Sequence, residues 1–192
     1  MRVITGTARG RRLKELDGME TRPTTDRVKE GLFSALQFEI AGRSVLDLFS
    51  GTGQLGIEAL SRGADRAVFV DHRTEAVQLV RENLKLTGLD QRARVVQGDA
   101  LEFLRTAGEL FDLIFLDPPY AAGLLEPALA QIAEFDILRS HGTIVAESPA
   151  DRELPALPPP YGVWRTYRYG KIGLTIYRRA EDPAAGNERD GA

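Results

Sequence analysis

Asp117-Pro118-Pro119-Tyr120 closes the apolar run Phe111 to Asp117 and joins two acceptors to a flat ring. Proline fixes φ and cannot donate a backbone hydrogen bond. The segment therefore reads as a stiff turn on which the Asp117 carboxylate and the Pro118 carbonyl face one point. Two acceptors at one point suit an NH2 group, which carries two donors. Tyr120 offers a face on which a nucleobase can stack. An ordinary strand-ending turn uses the same residue types, so the weight of this one depends on what stands beside it.

A glycine loop stands beside it. Gly51-Thr52-Gly53-Gln54-Leu55-Gly56 fits G-x-G-x-x-G, follows an apolar strand and opens a helix, and Asp71 lies twenty residues past Gly51. That is the nominal dinucleotide fingerprint, in which glycines admit the ligand to the backbone and the acid binds ribose hydroxyls. A pyrophosphate prefers a helix N-terminus with no anion nearby, yet Asp47 precedes Gly51 by four residues. A carboxylate aimed at the ligand suits an ammonium or a sulfonium. This favours S-adenosylmethionine (SAM) over NAD. Asp47, Asp71, Asp99 and Asp117 each fall late in, or just after, a strand. In an open parallel sheet such positions gather along the edge where ligands bind.

The elements that must hold these residues alternate. Strands are expected at Ser44 to Phe49, Ala67 to Asp71, Arg94 to Gln97, Phe111 to Asp117 and Thr143 to Glu147. Helices are expected at Gln54 to Ser61, Thr74 to Thr87, Leu101 to Thr106 and Leu124 to Phe135. Alternation of this kind implies βαβ units and a mostly parallel sheet with helices on both faces. A further helix, Asp26 to Phe38, is expected upstream with Thr24 or Thr25 as its cap. Residues 1–17 read as two short strands around Thr7-Ala8-Arg9-Gly10, with Val3 and Ile4 on one side and Leu13 and Leu16 on the other. Leu154 to Tyr161 is proline-rich and reads as an extended linker. Val163 to Tyr169 and Ile172 to Arg178 flank Gly170-Lys171 as an antiparallel hairpin at the sheet's edge. The domain boundaries that follow are an arm at 1–20, a catalytic α/β domain of Rossmann-like type at 21–180, and a polar, frayed tail at 181–192.

D-L-F-S-G-T-G-Q-L-G followed by D-P-P-Y resembles SAM-dependent methyltransferases that act on amino groups of nucleic acid. R-P-T-T-D-R-V-K-E-G-L-F-S upstream, with S-R-G-A and F-V-D, narrows the resemblance to the RsmD family, bacterial methyltransferases of guanine N2 in 16S ribosomal RNA. It covers roughly residues 1 to 178. Ser50, Thr52 and Gln54 stand where that family more often has Ala, Ser and Ala. The resemblance implies that Asp47, Gly51 and Gly53, with Phe49, Ser50 and Thr52 around them, hold the methionine half of SAM. It implies that Asp71, with His72, holds the ribose and that Asp99, with Ala100, holds the adenine amine. Thr24 and Thr25 would close over the cofactor, and Asp117, Pro118, Pro119 and Tyr120 would receive the target amine. The resemblance also implies RNA contact by Arg2, Arg9, Arg11, Arg12 and Lys14. Arg22 and Arg27 could reach either the cofactor carboxylate or an RNA phosphate. The substrate it implies is a small-subunit particle rather than naked RNA.

Composition bounds these readings. The chain has 192 residues, no Cys and only two His, so disulfides, thiolate metal sites and a multi-histidine metal centre are excluded. No stretch of about 18 apolar residues is present, and the first residues carry no apolar signal segment. A cytoplasmic monomer without a bound metal is the expectation. Net charge is −3, which excludes a uniformly basic nucleic-acid binder. Charge is nonetheless uneven: residues 1–14 hold five bases and no acid, while the remainder holds 20 bases against 28 acids. A solvated basic end and a phosphate-binding arm both fit that asymmetry. The rival activities are an adenine-N6 DNA or a glutamine-N5 protein methyltransferase, an NAD-dependent oxidoreductase, and a non-catalytic RNA-binding module. A separate DNA-recognition domain is lacking, glutamine enzymes usually have Asn where Asp117 stands, and no hydride-transfer base is evident.

Overall fold

Strands buried on both faces carry continuous apolar runs rather than alternation, and V-L-D-L, A-V-F-V and F-D-L-I-F-L form the centre of a seven-stranded sheet here. The computed structural model describes residues 1–15 and 23–180, with 23–25 described by backbone alone. The strands are β1 (Ser44–Asp47), β2 (Arg66–Asp71), β3 (Ala93–Gln97), β4 (Phe111–Leu116), β5 (Leu138–Pro149), β6 (Tyr161–Tyr169) and β7 (Ile172–Arg179). Their order across the sheet is β3-β2-β1-β4-β5-β7-β6. The first five pair in parallel, and β7 and β6 close the sheet antiparallel.

Helices α1 (Pro23–Ala35), α2 (Gln54–Ser61) and α3 (Thr74–Thr87) cover one face, and α4 (Ala100–Thr106) and α5 (Leu125–Glu134) the other. Successive strand residues divide between the two cores. Val45, Phe69, Phe115 and Val145 pack under α1 to α3, whereas Leu46, Val68, Ile114 and Ala146 pack under α4 and α5. Gly56 lets α2 approach the sheet: a Cβ there would lie 2.3 Å from the Phe69 ring. From β1 the chain steps outward to β2 and β3, then returns to place β4 on the other side of β1. The gap between the carboxyl ends of β1 and β4 is therefore a topological switch point, where open α/β sheets bind ligands.

Four expectations need correction. Helix α1 begins at Pro23 and ends at Ala35, so Thr24 and Thr25 lie inside its first turn rather than capping it; proline at the first helical position supplies the fixed φ. Strand β5 starts at Leu138, five residues early, because Leu138 pairs with Phe111 before a bulge resets the register to Leu113 and Thr143. The bulge carries the polar Arg139-Ser140-His141-Gly142, which hides the strand from a hydropathy reading. The linker is shorter than Leu154 to Tyr161, since Tyr161 already belongs to β6. The arm has one antiparallel bridge, Arg2 to Arg12, rather than two strands. Leu16 and Arg22 lie outside the described residues, as do 181–192 and the side chains of Thr24 and Thr25.

Four of the arm's backbone donors, on Ile4, Thr5, Thr7 and Ala8, go to α2, while Val3, Arg9, Gly10, Arg11 and Leu13 donate within the arm. Ile4 and Thr5 donate to the buried Glu58 carboxylate at 2.7 and 3.0 Å, and Ala8 donates to Ser61 Oγ at 3.0 Å. Val3, Ala8 and Leu13 are buried in the same core as α1 and α2. Among the described residues no helix is long and apolar enough to cross a membrane.

Candidate active site

A cavity of about 720 Å³ opens along the carboxyl edge of the parallel strands. Asp47 ends β1, Asp71 ends β2, Asp99 precedes α4 and Asp117 follows β4, and all four line it. Phe49, Ser50, Gly51 and Thr52 from the loop after β1 form one wall. His72 and Ala100 stand beside Asp71 and Asp99, and Pro118, Pro119 and Tyr120 complete the far side. Gly53 does not reach the cavity. It turns the chain into α2 with φ +78° and packs against Ile57 and Val80.

Each carboxylate has a distinct environment. Asp47 is buried and accepts the Gly56 N–H at 2.9 Å. Burial, helped by the charge of Asp71 and opposed by that hydrogen bond, pushes its carboxyl up to about 7. A cationic ligand group against it would restore the charged form. For Asp71, burial works upward but loses to hydrogen bonds from Arg73 and the Gly51 N–H, which hold the carboxyl below its usual range. The Gly51 bond is 2.9 Å and the bond from the Arg73 N–H 3.0 Å, so Asp71 fixes the glycine loop from the neighbouring strand. Asp99 accepts the Glu102 N–H at 2.9 Å as the cap of α4, with one carboxyl oxygen.

Asp117 lies among acids. Burial, then the charges of Glu147 and Asp47, push its carboxyl well above the usual carboxylate range. Glu147, on β5, is raised by burial, with a hydrogen bond from Tyr120 acting the other way. That bond, Tyr120 OH to Glu147 Oε1, is 2.9 Å and pins a ring that is 43% exposed. The ring can therefore present a face to a substrate without losing its position.

A profile of the family described as conserved hypothetical protein 95 matches residues 1–178, and the ribosomal RNA small subunit methyltransferase D of Escherichia coli (strain K12) is 36% identical over 180 residues, 93% of this chain and 90% of that protein. The chain belongs to the RsmD family. A Bacillus subtilis (strain 168) protein with the provisional name rRNA methyltransferase YlbH is 43% identical over 182 residues, covering 93% of this chain and 99% of its own length. A solved Escherichia coli structure, yhhF, whose methyltransferase name is also provisional, superposes with a TM-score of 0.86 at 34% identity, covering 95% of this chain and 99% of that one.

The RsmD-family site has features that the motifs do not announce. Met1, Glu15, Gln54 and Arg73 also line the cavity. Among the described residues Ser50 Oγ and Gln54 Oε1 are buried without a hydrogen-bond partner, and both residues face the cavity. Buried polar atoms of that kind are costly unless a ligand or water meets them. Asp47, Asp71 and Asp99 present carboxyl groups along this edge that could hold a cation, a diol and an amine of a cofactor. Lys29 of α1 is buried, donates to the Arg2 carbonyl at 3.1 Å, and has its ammonium group lowered by burial. The arm's Arg2, Arg9, Arg11 and Arg12 and the helical Arg27 are exposed. None of the four arm arginines forms an ion pair among the described residues, whereas Lys14 pairs with Glu82 at 2.7 Å. Among the described residues no cluster of three or more acidic or histidine side chains is placed to hold a metal ion.

Proposed function

We propose that this RsmD-family protein transfers a methyl group from SAM to the exocyclic N2 amine of a guanine in 16S ribosomal RNA, within a small-subunit particle. The observation that carries the reading is the junction at the switch point. Asp117-Pro118-Pro119-Tyr120 adjoins a cavity whose other acceptors, Asp47, Asp71 and Asp99, suit the cofactor's cation, diol and amine. The names of the relatives, small-subunit rRNA methyltransferases, support the substrate class.

When bound, SAM supplies an electrophilic methyl group on a sulfonium. The protein's share is placement. A guanine splayed from its stack lies on the exposed Tyr120 ring. Asp117 and the Pro118 carbonyl accept the two amine hydrogens, which draws the nitrogen lone pair out of conjugation with the ring. Holding the amine in line with the carbon–sulfur bond converts a bimolecular encounter into an effectively intramolecular one.

The deciding experiment offers labelled SAM to unmodified small subunits, naked rRNA and DNA in parallel, followed by nucleoside digestion. Label in N2-methylguanosine, chiefly from the particle, is expected. Label in N6-methyladenine from DNA would keep the chemistry and replace the substrate.

Two further results are expected. Asp71→Ala removes the acceptor for the ribose diol and loosens the Gly51 loop. Hydrogen bonds to a charged acceptor are worth about 1.5–3 kcal/mol, so SAM affinity by calorimetry falls about 10- to 100-fold. Neutralising Arg9, Arg11 and Arg12 weakens RNA binding and lowers the log–log salt slope by roughly 0.7–0.9 for each phosphate that the arm no longer neutralises. An unchanged slope would return the arm to a solvated basic end. The arm's tip binds Ser61, at the far end of α2 from the cavity, so its arginines would fall on RNA flanking the target rather than on the target nucleotide.

A further inference from the structure

Asp117 follows β4 and Glu147 lies on β5, in the register that pairs Leu116 with Ala146. One residue further on stand Asp117, just past the end of β4, and Glu147, still on β5. Strand residues alternate in direction. Phe115 and Val145 face the α1–α2 side while Leu116 and Ala146 face the other, so Asp117 and Glu147 return together to the α1–α2 side. Both line one small recess, with Lys29 from α1, Gln54 from α2 and Leu174 from β7.

We propose that Glu147 acts on methyl transfer as a positioning residue, working through Asp117 and Tyr120. Its Oε1 holds the Tyr120 hydroxyl, and the proton leaving the substrate amine comes to be shared between its carboxyl and that of Asp117, so that the pair rather than Asp117 alone receives it. This rests on the methyltransferase reading above. The nitrogen lone pair forms the new bond to carbon as the carbon–sulfur bond breaks and its electrons stay on sulfur. The N–H electrons stay on nitrogen, and the proton passes to an Asp117 oxygen.

An isolated aspartate, with an ordinary value near 3.9, is a poor acceptor for that proton at neutral pH. Two adjacent buried carboxyls cannot both ionise cheaply and titrate as a unit with one raised step. The surroundings do not neutralise the pair. Asp47 adds negative charge from β1. Lys29 is directed to the Arg2 carbonyl at 3.1 Å and to Asp26 at 4.0 Å. Arg152, beside Glu147 in a neighbouring recess, is paired with Glu126 at 2.5 Å. Tyr120 supplies a hydrogen bond but no charge.

The test is Glu147→Gln, which keeps an oxygen for the Tyr120 hydroxyl and removes the charge. Carbon-13 NMR titration of the Asp117 carboxyl in cofactor-free protein should show its midpoint lowered by about one pH unit or more. The acid limb of kcat against pH should move the same way, with a lower plateau and little change in KM for SAM. Glu147→Asp, retaining the charge, should recover part of the wild-type limb. An Asp117 midpoint unmoved in a folded, active Glu147→Gln variant overturns the shared proton and leaves methyl transfer standing. Coupled titration with no transfer to any RNA overturns the methyltransferase reading and the relay with it.

Discussion

Asp117→Ala should reduce methyl transfer by about 10²- to 10⁴-fold while SAM affinity by calorimetry changes by no more than a few-fold. A positioned acid–base group or a preorganised hydrogen-bond partner is ordinarily worth that much, and here one side chain serves as both. In the proposed reaction it accepts an amine hydrogen beside the Pro118 carbonyl and takes the departing proton with Glu147. The acceptors proposed for the cofactor are on other elements: Asp47 on β1, Asp71 on β2, Asp99 at the start of α4. Their loop is held by Gly51–Asp71 and Gly56–Asp47 hydrogen bonds that do not involve Asp117. A variant with near-wild-type turnover would remove Asp117 from the reaction. Asp117→Asn keeps an acceptor but cannot take a proton, so it should also lose turnover.

The same substitution has a signature in stability. The Asp117 carboxyl is raised in the folded protein by burial and by Glu147 and Asp47, so the folded state binds its proton more tightly than the unfolded chain does. The stabilisation from that proton is fully present below the unfolded value near 3.9 and is lost as pH rises through the folded value. Asp117→Asn carries no such titration. The difference in urea midpoint between variant and wild type should therefore move in the variant's favour as pH rises from about 4 toward neutrality. A difference independent of pH would mean that the buried pair carries no strained charge.

Residues alone make legible what residue type and local spacing encode. The glycine loop, the aspartates at strand ends and the Asp-Pro-Pro-Tyr turn each lie within one strand–loop unit, and parallel topology then brings their ends to one edge. Gly53 shows the limit of a motif: its spacing matches the loop, yet its conformation places it behind the wall. Glu147 is out of reach for a different reason. In V-A-E-S-P it looks like an ordinary polar strand end, and only the register of β5 against β4 puts it beside Asp117. Arg73 gives no signal in the sequence because a basic residue after a strand usually meets solvent, whereas here it hydrogen-bonds the carboxylate expected to hold ribose at 3.2 and 3.3 Å. The arm misleads in a third way. Val3 and Ile4 opposite Leu13 and Leu16 suggest a self-sufficient pair of strands, but only part of the arm's backbone pairs with itself, and Ile4, Thr5, Thr7 and Ala8 take acceptors from α2.

That dependence makes Glu58→Ala the largest expected stability change. Glu58 is completely buried within an apolar helix face. Its carboxylate accepts the Ile4 and Thr5 N–H groups and the Arg62 guanidinium, at 2.7, 3.0 and 2.7 Å. Alanine strands two backbone donors and leaves a mostly buried Arg62, which also lies over the Phe33 ring at 4.9 Å. Removing one partner of such a buried pair costs about 3–5 kcal/mol, and that loss should appear in the denaturant midpoint. Hydrogen exchange should rise at Ile4, Thr5 and Ala8 before it rises in the central strands, because the arm is held to the domain through these donors. Glu58→Gln keeps one acceptor and should recover part of the protection. If the arm positions RNA, Glu58→Ala should weaken RNA binding at temperatures where the domain remains folded, although its charge lies outside the basic cluster. Full protection of the arm in Glu58→Ala would show that the packing of Val3, Ala8 and Leu13, with the bonds to Ser61 and Asn83, docks it without Glu58.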